Sequence, residues 1–208
     1  NHNLSELWHH MGYKVLEEMK YNNTDKLLIV AHADDEVIWA GEKLLKEKGQ
    51  WDILCIVEPD SQSKFRIPIF LEKVSSYLEA NTEMLRQFED PGFYSMLPLE
   101  IINPIFKKIK SKNWTQILTH NENGEYGHIH HRQVHDAVVE CMQHLELMDK
   151  LWVFDPIKSE AIKRLTEEKS SIFANTYDDE TNLPDDHPRE WIHGWNTTQG
   201  WTENIKKW

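Results

Sequence analysis

The chain has 208 residues and a formal net charge of −12, from 23 Lys and Arg against 35 Asp and Glu. That length suits one well-buried core and is short for two, so a single domain over 1–208 is expected, with a Trp-rich C-terminal extension from about residue 175. The acidic balance repels a phosphate backbone, and the one lysine group, Lys107, Lys108, Lys110 and Lys112, closes an ordinary amphipathic segment, so nucleic acid is not an expected partner.

No stretch approaches the roughly 18 consecutive apolar residues of a membrane span, and the N-terminus lacks a charged-then-apolar signal pattern. A soluble, cytoplasmic protein is the expectation. Cys55 and Cys141 are the two cysteines, one in a predicted strand and one in a predicted helix, which fits a reducing compartment better than a disulfide framework. Oligomeric state is not legible.

In chain order, Leu4, Leu7, Trp8, Met11, Val15 and Met19 recur at helical spacing and predict a helix from Leu4 to Tyr21. Lys26 to Ala31 is a continuous apolar run, the pattern of a parallel strand buried on both faces. Val37, Gly41, Leu44, Leu45 and Lys48 predict a helix that Gly49 stops, and Asp52 to Val57 a second strand, which completes a βαβ unit. A helix from Phe70 to Ala80, a strand from Met84 to Phe88 and a Pro- and Gly-containing loop come next. They are followed by a helix from Leu99 to Lys110, a strand Gln116 to Thr119, a helix His130 to Leu145 and a strand Leu151 to Phe154. The alternation predicts a Rossmann-like α/β fold, a mostly parallel central sheet flanked by helices. Ser159 to Phe173 reads as a helix, and the tail with Trp191, Trp195, Trp201 and Trp208 as irregular.

Twelve histidines are present, and two groups of them sit where chemistry is expected. The first is Ala31-His32-Ala33-Asp34-Asp35-Glu36, between the first buried strand and its helix, and ligands of open α/β sheets bind outside the carboxyl ends of strands. Acids in a first helical turn gain about 0.3–1 kcal/mol from the helix dipole, so simple capping competes with catalysis here. Capping does not account for His32, which with an adjacent acid offers an imidazole and a carboxylate to a metal, and leaves a second carboxylate as a base.

The second group is His120-Asn121-Glu122-Asn123-Gly124-Glu125-Tyr126-Gly127-His128-Ile129-His130-His131, again between a strand and a helix. His128 and His131 are three apart and share a helix face, though His135 competes as an i, i+4 partner of His131. Taken together, the two loops meet at one sheet edge. Three protein ligands with a fourth position for water is the pattern of a catalytic zinc site, and no Cys lies near either motif.

The block His32-Ala33-Asp34-Asp35-Glu36, joined to Gly127-His128-Ile129-His130-His131, resembles the PIG-L/LmbE-like zinc-dependent de-N-acetylases over about Lys26 to Phe154. The resemblance implies hydrolysis of the N-acetyl group of an N-acetylglucosamine-type sugar or glycoside, a small molecule or oligosaccharide. It implies one Zn2+, or another divalent transition metal, bound by His32, Asp35 and His131, with Asp34 as general base. It also implies His128 as acid or oxyanion partner, Tyr126 polarising the carbonyl, and Arg66 contacting substrate, against which stands a plain surface ion pair for Arg66. Two positions depart from the family pattern. Ala33 replaces a common proline, removing a fixed φ, and His130 stands where an Asp often holds the first histidine of its motif.

His2, His9, His10, His144, His187 and His193 read as surface residues, and His120 and His135 as candidates for support of the site. The Trp-rich tail reads as packing, with a sugar-covering lid as the alternative. Competing functions are a metal-dependent phosphoesterase and a non-catalytic carbohydrate- or metal-binding module.

Overall fold

The computed structural model describes residues 15–18, 20–61, 64–86, 96, 98–155 and 205–208. Their elements are β1 (Val15–Glu18), β2 (Lys26–Val30), α1 (Asp35–Lys46), β3 (Trp51–Cys55), α2, β4 (Asn81–Leu85), α3 (Pro98–Lys110), β5 (Gln116–Thr119), α4 (Gly124–Gly127), α5 (Ile129–His144), β6 (Leu151–Phe154) and β7 (Ile205–Lys207). The α2 segment is continuous in three parts: Arg66–Pro68, a π-helical stretch Ile69–Val74, and Ser75–Leu78.

The strands form one sheet in the order β1-β4-β3-β2-β5-β6-β7. The five inner strands are parallel, with Lys26 of β2 level with Trp51 of β3 on one side and Gln116 of β5 on the other. The outer strands β1 and β7 run antiparallel to β4 and β6. This is the mostly parallel α/β architecture that the alternating pattern predicts.

The apolar run of β2 is explained by its two burdened faces. Leu28 and Val30 enter a core with Val37, Ile38, Trp39 and Leu44 of α1 and Phe70 and Val74 of α2. Leu27 and Ile29 point the other way, into a core with Ile101, Ile105 and Ile109 of α3 and Val134, Val138 and Cys141 of α5. Each residue of the strand after Lys26 is thus removed from water whichever way it points, at roughly 25 cal/mol per Å² of apolar area.

The differences from the predicted elements lie mainly at the edges. Val15–Glu18 is a strand, not the end of a helix, because β4 offers it a ladder that local periodicity does not reveal. The expected strand from Met84 to Phe88 begins earlier, at Asn81. The helix expected from Phe70 begins at Arg66, since Pro68 is tolerated in a first turn where its missing N–H is not needed. The end of the chain is not wholly irregular: Ile205–Lys207 pairs with β6, and Trp208 packs its ring edge-on against His135 at 4.8 Å. The predicted helix from Ser159 to Phe173, and Trp191, Trp195 and Trp201, lie outside the described residues. Among the described residues no helix is long and apolar enough to cross a membrane.

Candidate active site

β2 and β5 are neighbours from which the chain departs in opposite directions, to β3 and to β6. Their carboxyl ends are therefore the switch point where an open parallel sheet leaves a crevice. The loop after β2 carries His32 to Glu36, and the loop after β5 carries His120 to His131, so both sequence motifs converge there.

The first loop folds tightly on itself. The His32 carbonyl accepts the N–H groups of Asp34 (3.1 Å) and Asp35 (3.3 Å), and the Asp35 carboxylate in turn accepts the His32 N–H at 2.8 Å. The Glu36 carboxylate accepts the Asp34 N–H at 3.0 Å. These bonds satisfy donors that a helix start leaves orphaned, and they pin the turn at the position where Ala33 replaces a proline.

Asp35 is the hub. It is 1% exposed, accepts a hydrogen bond from Trp39 Nε1 at 3.1 Å, and faces three imidazoles. Its Oδ2 lies 3.4 Å from His32 Nδ1 and 3.4 Å from His120 Nε2, and its Oδ1 lies 3.3 Å from His131 Nε2. Burial alone would raise its pKa, but the rings of His131, His120 and His32 outweigh that and hold the carboxyl well below the usual range.

The far nitrogens of the two outer imidazoles are also engaged. His32 Nε2 is 3.0 Å from His130 Nδ1, and His131 Nδ1 is 2.6 Å from Glu125 Oε2. His130 thus meets the histidine of the other loop. Among the described residues two overlapping trios have ligand atoms within 4.8 Å of one another, His32 with His128 and His131, and Asp35 with His120 and His131. A buried carboxylate between imidazole nitrogens, with supporting partners behind the rings, is a donor set that fits a divalent transition ion.

His120 was expected at most as support, and it sits at the centre. It is fully buried, stacked on His131 with centroids 3.9 Å apart, and its Nδ1 lies 2.8 Å from Glu125 Oε2. Against the cost of burial, Glu125 and Asp35 pull its pKa up to about 9. The Ala31 N–H, 3.0 Å from Nε2, opposes them, because only an unprotonated nitrogen accepts it. Both nitrogens are thereby occupied, which makes this ring a strut between the two loops. His135, also buried, donates from Nδ1 to the His120 carbonyl at 2.8 Å.

His128 caps α5: its Nδ1 accepts the His130 N–H at 3.2 Å. That bond leaves the ring proton on Nε2, a hydrogen-bond donor. Burial and the neighbouring His32 and His131 rings push its pKa down to about 2, and burial likewise lowers His131 to about 4 despite the adjacent carboxylates. Both shifts favour the neutral rings.

Arg66, at the start of α2, places Nη1 3.2 Å from Asp34 Oδ2. The pair is not an ordinary surface one, since Asp34 is 2% exposed. The Tyr126 backbone lies in α4, at the rim of the second loop, and its side chain is outside the described set. His144 is exposed at the far end of α5, as expected, and His2, His9, His10, His187 and His193 lie outside the described residues.

Against known proteins, the family model described as PIG-L, GlcNAc-PI de-N-acetylase, matches residues 27–142. An uncharacterized protein of Acanthamoeba polyphaga mimivirus is 31% identical over 137 residues, which are 59% of this chain and 60% of that one. The chain thus spans about 60% of the length of that relative. The N,N'-diacetylchitobiose deacetylase of Pyrococcus horikoshii superposes with a TM-score of 0.53 at 14% identity, over 88% of this chain and 84% of its own. The 4-carboxy-2-hydroxymuconate hydratase of Pseudomonas putida gives 0.52 at 14% identity, over 85% and 86%. At such identities the two structures speak for the fold, and the fold carries more than one chemistry.

Proposed function

Since the chain belongs to the PIG-L family of GlcNAc-PI de-N-acetylases, we propose that it is a zinc-dependent hydrolase that removes the N-acetyl group from an N-acetylglucosamine-type sugar or glycoside. The observation that carries this reading is the placement of Asp35 between His32 Nδ1 and His131 Nε2, with Asp34 adjacent in sequence and held by Arg66. His32, Asp35 and His131 would hold the ion. When bound, zinc supplies a Lewis acid that polarises the amide carbonyl and lowers the pKa of water.

The rest falls to the chain's own groups. Asp34 takes a proton from the attacking water and returns it to the departing nitrogen, so that acetate and a primary amine leave. Arg66 fixes the carboxylate for that transfer. His128, neutral and carrying its proton on Nε2, donates a hydrogen bond to the oxygen that gains charge, and Tyr126 is proposed as a second donor. A fixed neutral donor needs no proton uptake from solvent, and this supports oxyanion stabilisation over acid catalysis for His128.

The test is release of primary amine from a panel of N-acetylglucosamine glycosides by zinc-loaded protein, beside Asp34→Ala. Amine release that disappears in the variant while zinc is retained is expected. Release that survives the substitution overturns the base assignment. Zinc-bound protein inert on every glycoside, but freeing phosphate from a sugar phosphate, overturns the deacetylase reading in favour of a phosphoesterase.

A further inference from the structure

We propose that Glu125 is a positioning residue whose single carboxylate sets which nitrogen of His131 faces the metal, an inference that rests on the metal-site reading above. Three observations carry it. First, Glu125 Oε2 lies 2.6 Å from His131 Nδ1 and 2.8 Å from His120 Nδ1, while Oε1 accepts the Asn121 N–H at 2.8 Å. A carboxylate only accepts, so each imidazole donates from Nδ1 to it. For His131 that leaves the lone pair on Nε2, the atom 3.3 Å from Asp35.

Secondly, the chain adopts an uncommon backbone to bring this acid inward. Glu125 has φ of +56°, in the left-handed region that non-glycine residues seldom occupy, and it follows Gly124 at φ +64°. Such a conformation is strained for a residue with a Cβ and persists where surrounding contacts enforce it. Here they do: Asn121 Oδ1 accepts the Asn123 and Glu125 N–H groups at 2.8 and 3.2 Å, and Asn121 Nδ2 donates to the Phe154 carbonyl at 3.0 Å. The loop after β5 is thereby tied to the end of β6.

Thirdly, Glu125 is 2% exposed. A buried carboxylate is retained only where its lone pairs are met, and here they are met by the rings of His131 and His120 and by the N–H of Asn121 in the same loop.

The consequence is a carboxylate–histidine–metal relay on the second loop, in which a partner behind a ligand ring fixes its orientation and raises its basicity. The same acid locks His120, so one residue aligns both the ligand and the strut stacked on it.

The experiment measures zinc affinity by chelator competition for wild type, Glu125→Gln and Glu125→Ala, with the apo fold of each followed by thermal unfolding in excess chelator. Gln matches the shape of Glu without its charge or its second acceptor, so a merely packing role predicts wild-type affinity in that variant. Affinity about 10- to 100-fold weaker in Glu125→Gln is expected. Zinc held as tightly as in wild type by a folded Glu125→Gln overturns the inference and leaves the deacetylase reading standing. A second measurement needs no variant: 15N-correlated spectra of the wild-type imidazoles should show His131 protonated at Nδ1 both before and after zinc is added. His131 protonated at Nε2 before zinc, or ligating through Nδ1, overturns it as well. Wild-type protein that takes up no zinc defeats this inference together with the function on which it rests.

Discussion

Arg66 Nη1 sits 3.2 Å from Asp34 Oδ2 across a gap of thirty-two residues, tying the start of α2 to the loop after β2. On the proposal that Arg66 orients Asp34 as the base, and with Arg66 itself partly exposed, its loss should show in turnover more than in folding. Arg66→Ala is expected to lower kcat/KM by about 100-fold, the scale of a misplaced catalytic group, with an unfolding midpoint close to wild type. Arg66→Lys should recover little, because a single ammonium does not reproduce the guanidinium plane. Steady-state amine release with a thermal melt checks both.

Trp39 is a joint between core and site. It is 1% exposed, stacks with Phe154 at 6.3 Å, and donates Nε1–H to Asp35. Trp39→Phe keeps most of the apolar area and removes the donor to a buried carboxylate, which should cost about 1.5–3 kcal/mol of stability. Urea titration measures it, and a loss under 0.5 kcal/mol would show that the bond does not matter.

Gly124 precedes Glu125 with φ +64°, and a Cβ there would lie 2.8 Å from Arg132 Cγ and 3.4 Å from His131 Cβ. Arg132 is exposed and can yield, whereas the backbone sign cannot. Gly124→Ala is expected to destabilise by about 1–2 kcal/mol and to weaken zinc binding, because the displaced loop leads into His131. The two readouts should fall together; a wild-type zinc affinity with lowered stability would separate the turn from the metal site.

At the opposite end of the parallel strands, Lys108 is fully buried between Asp52, at 3.1 Å, and Glu83, while Lys112 reaches Asp52 at 3.0 Å and Asn81 Nδ2 donates to the same carboxylate at 2.8 Å. Burial would raise the Asp52 pKa, but Lys108, Thr24, Lys112 and Asn81 outweigh it and hold the carboxyl below its ordinary 3.8. A depressed carboxylate contributes stability that is fully present above its unfolded pKa and is lost as pH falls through the folded one. Burial opposes the charge on Lys108, yet Glu83 and Asp52 keep its pKa above the ordinary 10.5, so its contribution holds below that value and is lost only as pH rises past the folded pKa. Urea midpoints should therefore be flat through neutrality and drop below about pH 4. Lys108→Met, which strands two buried acids, should cost about 3–5 kcal/mol at pH 7 and flatten the acid limb.

How much of this was legible in the sequence follows from how local each signal is. β2 declares itself because five consecutive apolar residues, Leu27 to Ala31, have no amphipathic alternative, and α5 because its apolar positions repeat at helical spacing. β1 is illegible, since Val15–Glu18 owes its strand state to β4, some seventy residues away. His32 and His120 each follow directly on a buried strand, and that parallel was the available sign that His120 belongs at the centre. Glu125 left no such sign. An acid two residues before Gly127 looks solvated until the left-handed turn after Gly124 carries it inside.

The last strand has its own significance. Ile205–Lys207 adds a rung to β6 and presents Lys206 and Lys207 to solvent, with Lys206 3.1 Å from Asp155. Among the described strands β7 is the outermost on that side, and ammonium groups along an edge disfavour a second copy laid alongside it.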